Sequence, residues 1–226
     1  MVFSNDYTMP ATIPEPTRII AIRHGETAWN VSTRIQGHLD IGLNETGRWQ
    51  AHRVALALAG EPIAALYSSD LLRAWDTALS IANATGLPVQ TVEGLRERGF
   101  GVFEGKTFQE VEAQWPEQAL RWRKREPAFE PGGGESLLRF RERITLATQG
   151  LAAQHPGEQI VMVAHGGVMD VLYRAATRQE IQAPRTWDLG NATINRLLWT
   201  PEGLSLVGWA DTQHLDDDEA LDESTA

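Results

Sequence analysis

Residues 18–30 read Arg-Ile-Ile-Ala-Ile-Arg-His-Gly-Glu-Thr-Ala-Trp-Asn, and this stretch decides how the whole chain is interpreted. Its residues 19–22 form a short apolar run rich in β-branched side chains, which predicts a buried strand. Arg23 and His24 follow at once, and Gly25 lets the backbone turn towards a bound group. Open α/β sheets bind ligands at the carboxyl ends of their strands. Because Arg grips phosphate oxygens and neutral His is a nucleophile near pH 7, the stretch favours phosphate chemistry.

The composition is that of an ordinary globular protein. The chain has 226 residues, of which 42% are hydrophobic and 22% charged, so one domain with a sizeable core is expected. It contains no cysteine, which excludes disulfides, thiolate zinc sites and cysteine nucleophiles. The sequence has no apolar run long enough to span a membrane and no signal-peptide pattern at its start. We therefore expect a cytoplasmic protein that has no membrane partner.

The formal net charge of −10 comes largely from the end of the chain. Residues 216–226 hold six acidic side chains and no basic one. Such tails are usually solvated, and the overall acidity argues against nucleic acid as a partner, because phosphate backbones require surface cations. A small phosphorylated substrate is still compatible with this charge, since only its pocket must be positive.

The pattern of elements predicts a leader, one domain and a tail. Residues 1–16 contain three prolines and no periodicity, which predicts a mobile leader, and residues 211–226 form the acidic tail. Between them, strands and helices alternate through residues 17–210, which predicts an α/β domain with a mostly parallel central sheet and helices on both faces. The strands are predicted at 19–22, 63–67, 88–92, 160–164, 192–199 and 204–209. The helices are predicted at 44–59, 71–84 (capped by 68–70), 135–154 and 168–176.

Residues 99–134 interrupt this pattern. Glycine and aromatic residues crowd the loop at 99–105, and two short helices are predicted at 108–115 and 116–125. Residues 131–134, Pro-Gly-Gly-Gly, predict a flexible hinge. We interpret the whole segment as an insertion that covers the active site.

Three predicted strand ends carry chemistry-bearing side chains. The first has Arg23 and His24, the second has Arg73 one turn into the helix that follows it, and the third has His165. Parallel strands place their carboxyl ends at one edge of the sheet, so these four side chains are expected to converge. Two arginines and two histidines repel one another, and a bound anion such as phosphate relieves that repulsion.

These residues resemble the motifs of the histidine phosphatase superfamily, which is also called phosphoglycerate mutase-like. Residues 23–27 with Asn30 resemble its defining motif, and residues 68–74 its second motif. Residues 95–97 resemble the segment that carries its acid, and residues 164–167 its last motif. The resemblance runs from Arg18 to about Trp209 and implies a phosphoglycerate mutase-like fold.

The resemblance also implies roles for individual residues. His24 would be the phosphorylated nucleophile, and Arg23, Arg73 and His165 would hold the transferring phosphoryl oxygens. The remaining residues of these motifs and of the first loop are assigned to substrate binding: Thr27, Asn30, Gln36, Gly37 and Gly166.

The chemistry needs no metal and no other cofactor. Charge in a phosphoryl-transfer transition state lies on the outer oxygens, and positioned Arg and His donors can stabilise it. No cluster in the sequence has metal-ligand spacing. His24 must present an unprotonated nitrogen, so its other nitrogen should donate to a backbone carbonyl.

A carboxylic acid should protonate the leaving oxygen and then activate water. Glu97 is our choice for this acid. Glu26 and Glu104 are the alternatives, with Glu26 favoured as structural and Glu104 as a residue that lines the pocket.

The sequence of residues 97–105 helps to distinguish between a phosphatase and a mutase. It departs from the basic and aromatic string of the mutases and resembles the Gly-aromatic-Glu-Gly string of the phosphatase branch. The resemblance therefore favours hydrolysis of a small phosphorylated metabolite, with a cofactor-dependent phosphoglycerate mutase as the alternative. A non-catalytic phosphoprotein-binding module is disfavoured because His24, His165 and Glu97 are all present. A homodimer is left open.

The insertion leaves two further questions open. Its aromatic residues could form an apolar wall of the substrate pocket or simply the core of the insertion: Phe100, Phe103, Trp115 and Trp122. Its basic residues could form a solvated helix face or reach a second anionic group of the substrate: Arg121, Arg123, Lys124 and Arg125.

Overall fold

The computed structural model describes residues 15–216. The strands are β1 (Thr17–Arg23), β2 (Ala65–Ser68), β3 (Val89–Thr91), β4 (Gln159–Ala164), β5 (Ile194–Thr200) and β6 (Gly203–Asp211). The helices are α1 (Ala28–Val31), α2 (Glu45–Leu58), α3 (Leu72–Thr85), α4 (Phe108–Gln114), α5 (Pro116–Arg123), α6 (Leu137–Ala152) and α7 (Gly166–Thr177). Most of the predicted leader and tail lie outside the described residues, so the division of the chain stays a prediction.

The strands form one six-stranded sheet in the order β3-β2-β4-β1-β5-β6. β3, β2, β4 and β1 are mutually parallel, whereas β5 pairs antiparallel with β1 and β6 antiparallel with β5. The parallel neighbours are joined by helical crossovers, as parallel pairing requires. The predicted mostly parallel α/β sheet is confirmed.

β1 separates two hydrophobic cores, because successive side chains of a strand point to opposite faces. Ile19 and Ala21 belong to a cluster that includes residues of α6 and α7. Ile20 and Ile22 belong to a second cluster, which includes residues of α2 and α3. All four side chains are at most 1% exposed. Burial on both faces explains why this run is apolar at every position, and it confirms that helices cover both faces.

The register of the parallel strands brings the predicted motifs to one edge. Arg23 at the end of β1 pairs with Ala164 at the end of β4, and Ser68 at the end of β2 pairs with Val163. The residues that follow these three strands therefore lie side by side. The backbone N–H of His24 extends the pairing by donating to the carbonyl of Ala164 at 3.0 Å.

The two helices on one face begin differently. Asn44 caps α2, since its side chain accepts from the N–H of Gly47 at 2.8 Å, as predicted. The prediction that residues 68–70 cap α3 is wrong. The carboxylate of Asp40 accepts from the N–H of Leu72 at 2.7 Å, whereas Asp70 forms an ion pair with Arg96. A loop remote in sequence therefore caps α3, and this leaves Asp70 to hold the segment that carries Glu97.

The insertion has a core of its own. Phe103, Val111 and Ala119 are fully buried and pack against the aromatic rings of the segment. The rings of Phe103 and Trp115 lie 5.4 Å apart between centroids, so these two residues belong to the core of the insertion. Residues 131–134 do not form an open hinge. The N–H of Glu135 donates to the carbonyl of Gly99 at 2.8 Å, and a Cβ at Gly134 would lie 2.3 Å from that oxygen.

Within residues 15–216, no helix is both long enough and apolar enough to cross a membrane.

Candidate active site

His24 lies just past the end of β1 and is 3% exposed. Its Nδ1 lies 2.7 Å from the carbonyl oxygen of Gly25. A carbonyl only accepts, so Nδ1 carries the proton and Nε2 carries the lone pair. The predicted contact between His24 and a backbone carbonyl is thus confirmed. Burial, followed by the charges of Arg73 and Arg23, holds the pKa of His24 well below its ordinary value. The ring is therefore neutral near pH 7, as a nitrogen nucleophile must be.

Gly25 serves a purpose that the sequence did not suggest. A Cβ at this position would lie 2.4 Å from the carbonyl oxygen of Gly47 in α2. The close approach that the structure describes at Gly25 is to helix α2. This contact places the first turn of α2 against Gly25, the residue that follows His24.

Arg23 and Arg73 flank His24, and carbonyl groups orient both of them. Nη1 of Arg23 donates to the carbonyl of Leu189. Arg73 is 1% exposed and donates to the carbonyls of Gly37 at 2.8 Å and Leu39 at 3.0 Å. Among the described residues, the Nε atoms of both arginines are buried and have no hydrogen-bond partner. Each arginine thus keeps an N–H that an anion could accept.

Burial is the largest influence on both arginines and lowers the pKa of each. The negative charge of Glu97 opposes that effect and raises both pKa values. Each guanidinium is nonetheless charged at neutral pH, because the ordinary pKa of arginine lies far above neutrality. Two buried cations with one nearby carboxylate leave the site positive and suited to phosphate.

His165 occupies the N-cap position of α7 and is fully buried. Its ring centroid lies 5.3 Å from that of His24. Nε2 of His165 lies 2.8 Å from Oγ of Ser69, while Nδ1 has no partner within residues 15–216. Burial, followed by the charge of Arg73, holds the pKa of His165 well below its ordinary value. The three predicted strand ends therefore do converge.

Thr27 and Asn30 form a reciprocal capping box around α1. Thr27 is fully buried, and its hydroxyl donates to Oδ1 of Asn30 at 3.0 Å and accepts from the N–H of Asn30 at 3.1 Å. The structure thus places Thr27 as a support for Asn30. Asn30 itself lines the cavity beside His24.

Asn191 is a residue of this site that the sequence analysis missed. Its amide donates to the carbonyl of His24 at 2.9 Å and to Oδ1 of Asn30 at 3.4 Å. The next residue, Ala192, donates its N–H to the carbonyl of Arg23 at 3.0 Å. The loop before β5 thus holds the backbone of the central motif, although nothing in its local sequence signals this role.

Gln36 and Gly37 also line the cavity beside His24. Oε1 of Gln36 is buried and has no partner in the described part of the chain. Gly37 has a φ of 51°, a left-handed conformation that glycine adopts readily, and its carbonyl orients Arg73. Gly37 thus acts on the site through Arg73.

Glu97 is held by two backbone N–H groups. Its Oε1 accepts from Arg98 at 2.8 Å and its Oε2 from Gly167 at 3.0 Å. Glu97 lines the cavity that contains His24.

Gly166 packs against Arg23, since a Cβ there would lie 3.3 Å from the Nε of that arginine. The contact that the structure describes for Gly166, which was predicted to bind substrate, is with the side chain of Arg23.

The two alternative acids are tied up in other contacts. The carboxylate of Glu26 accepts from the side chain of Asn44 at 2.7 Å, at the start of α2. The carboxylate of Glu104 accepts from the N–H groups of His38 at 3.1 Å and Phe100 at 2.9 Å, and so joins two loops. Glu104 resembles Glu97 in accepting two backbone N–H groups, but of the three carboxylates only Glu97 is among the residues that line the cavity with His24, so the geometry favours Glu97 as the acid.

Two adjoining cavities form the cleft. The smaller one, about 200 Å³, contains His24 and Arg73, and the larger one measures about 470 Å³. Arg23, Glu97, Phe100 and Trp122 line both cavities, so the two are continuous through these residues. Phe100 and Trp122 therefore serve both as core of the insertion and as walls of the cleft. Glu97 is one of the residues shared by the linings of the two cavities.

The larger cavity is rich in cationic and polar groups. Arg98, Arg125, Asp170, Arg185 and Trp187 line it. Burial lowers the pKa of Arg98 to about 10, so this side chain is still a cation at neutral pH. Arg125 donates to Asp170 at 2.9 Å. Oδ1 of Asp170 and Nε1 of Trp187 are buried and have no partner among the described residues.

The basic run of the insertion divides between surface and cleft. Arg121 pairs with Glu126 at 2.7 Å and Arg123 pairs with Glu112 at 2.5 Å, and all four of these side chains are largely solvated. Only Arg125, with its side chain 27% exposed, turns to the cleft. Within residues 15–216, no group of three or more His, Cys, Asp or Glu residues could hold a metal ion.

Comparisons with known proteins agree with this geometry. A family model described as "Histidine phosphatase superfamily (branch 1)" matches residues 19–212. "Phosphoglycerate mutase-like protein 4" of Arabidopsis thaliana is 41% identical over 203 residues, which are 88% of this chain and 87% of the relative. "Metal-independent phosphoserine phosphatase" of the same plant is 38% identical over 205 residues, which are 89% of this chain and 84% of the relative.

The chain is also similar to a solved structure, that of the phosphoserine phosphatase of Entamoeba histolytica in complex with 3-phosphoglyceric acid. It superposes with a TM-score of 0.79 at 31% identity and covers 88% of this chain and 100% of that one.

Proposed function

The chain belongs to branch 1 of the histidine phosphatase superfamily and is a phosphoric monoester hydrolase, and we propose that it acts through a phosphohistidine formed on His24. The observation that carries this proposal is the contact between Nδ1 of His24 and the carbonyl of Gly25. It leaves Nε2 as the nucleophile, beside two buried arginines and a second histidine.

The first step forms the phosphoenzyme. Nε2 of His24 attacks phosphorus, and the bond from phosphorus to the ester oxygen breaks. Arg23, Arg73 and His165 donate to the outer oxygens, where charge gathers in the transition state. Glu97, a carboxylate in the free enzyme, takes up a proton as the anionic phosphate ester binds and gives that proton to the leaving oxygen, so that an alcohol departs.

The second step releases phosphate. Glu97, now a carboxylate, takes a proton from a water molecule that attacks the phosphohistidine. The bond from phosphorus to Nε2 breaks, and His24 regains its neutral form. The cycle returns every proton, and no step requires a metal ion.

We propose that the substrate is a small phosphorylated metabolite with an anionic organic part. Arg98, Arg125 and Arg185 line the larger cavity, next to the proposed leaving-group acid. The positive charge of Arg185 acts on Arg23 and lowers its pKa, so Arg185 is near the proposed phosphoryl site. Relatives named for phosphoserine, and a relative bound to 3-phosphoglyceric acid, support a substrate that carries a carboxylate.

A cofactor-dependent phosphoglycerate mutase is the second candidate, because one relative is named mutase-like. The phosphatase-type string at residues 97–105 argues against it. The loop that carries this string packs closely on Gly132 and Gly134.

Three accompanying features are also proposed. We propose a cytoplasmic location, with which a sequence free of cysteine is compatible. The net charge of −10 supports the inference that nucleic acid is not a partner. The division into a leader at 1–16, a domain at 17–210 and a tail at 211–226 is proposed unchanged, with the insertion at 99–134.

A panel of phosphomonoesters tests the function. The purified full chain is incubated with chelator and phosphoserine, 3-phosphoglycerate or an uncharged sugar phosphate, and phosphorus NMR follows the products. We expect inorganic phosphate from each substrate, released fastest from the carboxylated ones. Isomerised ester without free phosphate would identify a mutase instead.

A further inference from the structure

Ser69 and His165 are in contact at the edge of the sheet, and the mechanism above does not use Ser69. Both residues are 0% exposed. Oγ of Ser69 lies 2.8 Å from Nε2 of His165. Each residue directly follows a strand, Ser69 after β2 and His165 after β4, and these strands are paired in parallel. The contact is therefore set by the sheet and not by a loop.

The other contacts of Ser69 favour a hydrogen bond that runs from its hydroxyl to His165. Its Oγ accepts from the N–H of Leu71 at 3.3 Å, which leaves the hydroxyl proton free to donate. Among the described residues, Nε2 of His165 is the acceptor within hydrogen-bond distance of that proton. If Nε2 accepts, a neutral His165 must carry its ring proton on Nδ1.

The position of this proton matters for phosphate binding. Phosphoryl oxygens only accept, so a neutral histidine can hold one only through an N–H group. Burial has the largest effect on the pKa of His165 and holds it well below its ordinary value. Four neighbouring groups lower this pKa further: Arg73 on α3, His24 and Arg23 at the end of β1, and His38 on a loop. The ring is thus neutral near pH 7, and its tautomer decides whether it can donate.

We propose that Ser69 is a positioning residue whose hydroxyl donates to Nε2 of His165 and so keeps an N–H at Nδ1 to hold a phosphoryl oxygen. Nδ1 is buried and has no partner within residues 15–216, which fits this use. When phosphoryl charge draws a second proton onto the ring, the same hydroxyl turns and accepts from Nε2–H. Ser69 thus supports both protonation states. This inference rests on the proposed function and refines the role of His165 within it.

Nitrogen NMR of the full chain tests the tautomer directly. The histidines are labelled with ¹⁵N, and His165 is assigned by comparison with His165→Gln. Near pH 7.5 we expect a neutral ring with its proton on Nδ1, and a proton on Nε2 would overturn the proposal. The measurement needs no turnover, so its failure would leave the hydrolase function standing. It also uses the natural sequence and does not depend on the folding of a variant.

Kinetics with matched serine variants test the consequence. Ser68 is also 0% exposed, but its hydroxyl donates to the carbonyl of Ser69 at 2.8 Å and not to His165. We expect Ser69→Ala to lower kcat/KM by about tenfold or more near pH 8, and Ser68→Ala to stay within about twofold of the natural chain.

No loss at all in Ser69→Ala, or the same loss in Ser68→Ala, would overturn the proposal.

Discussion

The carboxylate of Glu97 accepts a hydrogen bond from the backbone N–H of Gly167, with 3.0 Å between Oε2 and N. Gly167 lies in the first turn of α7, two residues after His165. Glu97, the proposed acid, is thus hydrogen-bonded to the first turn of α7, and His165, which is proposed to bind the phosphoryl group, is the N-cap residue of the same helix. Helix N-terminal N–H groups favour a nearby carboxylate, so the contact holds Glu97 at the mouth of the smaller cavity.

The first prediction concerns the acid itself. Glu97→Gln should lower kcat/KM for alkyl phosphates by about 100-fold or more, because an alkoxide needs a proton to leave. Aryl phosphates with good leaving groups should lose much less, because they depart without a proton. The measurement is a pair of steady-state assays with one substrate of each class.

Glu104→Gln is the matched control for the acid, because Glu104 also accepts two backbone N–H groups. Its effect should be similar for alkyl and aryl substrates. If Glu97→Gln lowers both classes equally while Glu104→Gln separates them, the acid is Glu104.

The second prediction uses the Gly167 contact. A Cβ at this position would lie 2.2 Å from Oε1 of Glu97 and 3.1 Å from the ring of Phe140. Gly167→Ala should therefore displace the acid and lower kcat for alkyl phosphates by about tenfold or more, with a smaller effect on aryl phosphates.

Gly150→Ala is the control for Gly167→Ala. Gly150 lies within α6, and a Cβ there would meet nothing within 4 Å. This variant should raise stability by about 0.5–1 kcal/mol and leave kcat unchanged. Unchanged selectivity between alkyl and aryl substrates in Gly167→Ala would contradict the account of how Glu97 is held.

The third prediction concerns stability against pH. His24 and His165 are buried and neutral, with pKa values held below the ordinary 6.5. Below about pH 6.5 the unfolded chain binds protons that the folded chain does not, so the free energy of unfolding must fall as the pH falls. Each histidine contributes up to about 1.4 kcal/mol per pH unit to this loss.

Denaturant unfolding between pH 7 and pH 5.5 measures this effect. His165→Gln should flatten the decline, whereas His52→Gln, which changes an exposed side chain, should leave it unchanged. An identical slope in the natural chain and His165→Gln would show that His165 is not held neutral.

The fourth prediction concerns metals and inhibitors. The proposed oxygen ligands are Arg and His side chains, so turnover should be unchanged after dialysis against chelator. Vanadate or tungstate should inhibit competitively, because each can resemble the phosphoryl group at His24. A need for added divalent ion would refute the proposed mechanism, and binding of vanadate to His24→Ala with unchanged affinity would refute the binding site.

Much of this site could be predicted because its residues follow buried strands. The run at 19–22 has no polar position, which identifies a strand covered on both faces and therefore the middle of a sheet. Once β1, β2 and β4 are parallel, the convergence of His24, Arg73 and His165 follows from the geometry of the sheet. Local sequence was enough for these elements.

The supporting contacts could not be predicted, because their partners lie far apart and in irregular segments. Asp40 caps α3 from a loop 32 residues away, and Asn191 holds His24 across 167 residues. Neither residue stands in a periodic pattern. Thr27 was assigned to the substrate from its motif, but the capping box that occupies it becomes evident only when its hydroxyl is traced to Asn30.

The most direct test of the central claim is to find where the phosphoryl group is carried. Glu97→Gln should accumulate phosphoenzyme with an aryl phosphate, because water attack loses its base. Quenching in alkali, followed by peptide mass spectrometry, should place the phosphoryl group on His24. His24→Ala, checked for a native melting curve, should show no phosphoenzyme and no more than a few per cent of the natural turnover. Phosphate on another residue, or substantial turnover by folded His24→Ala, would contradict the account.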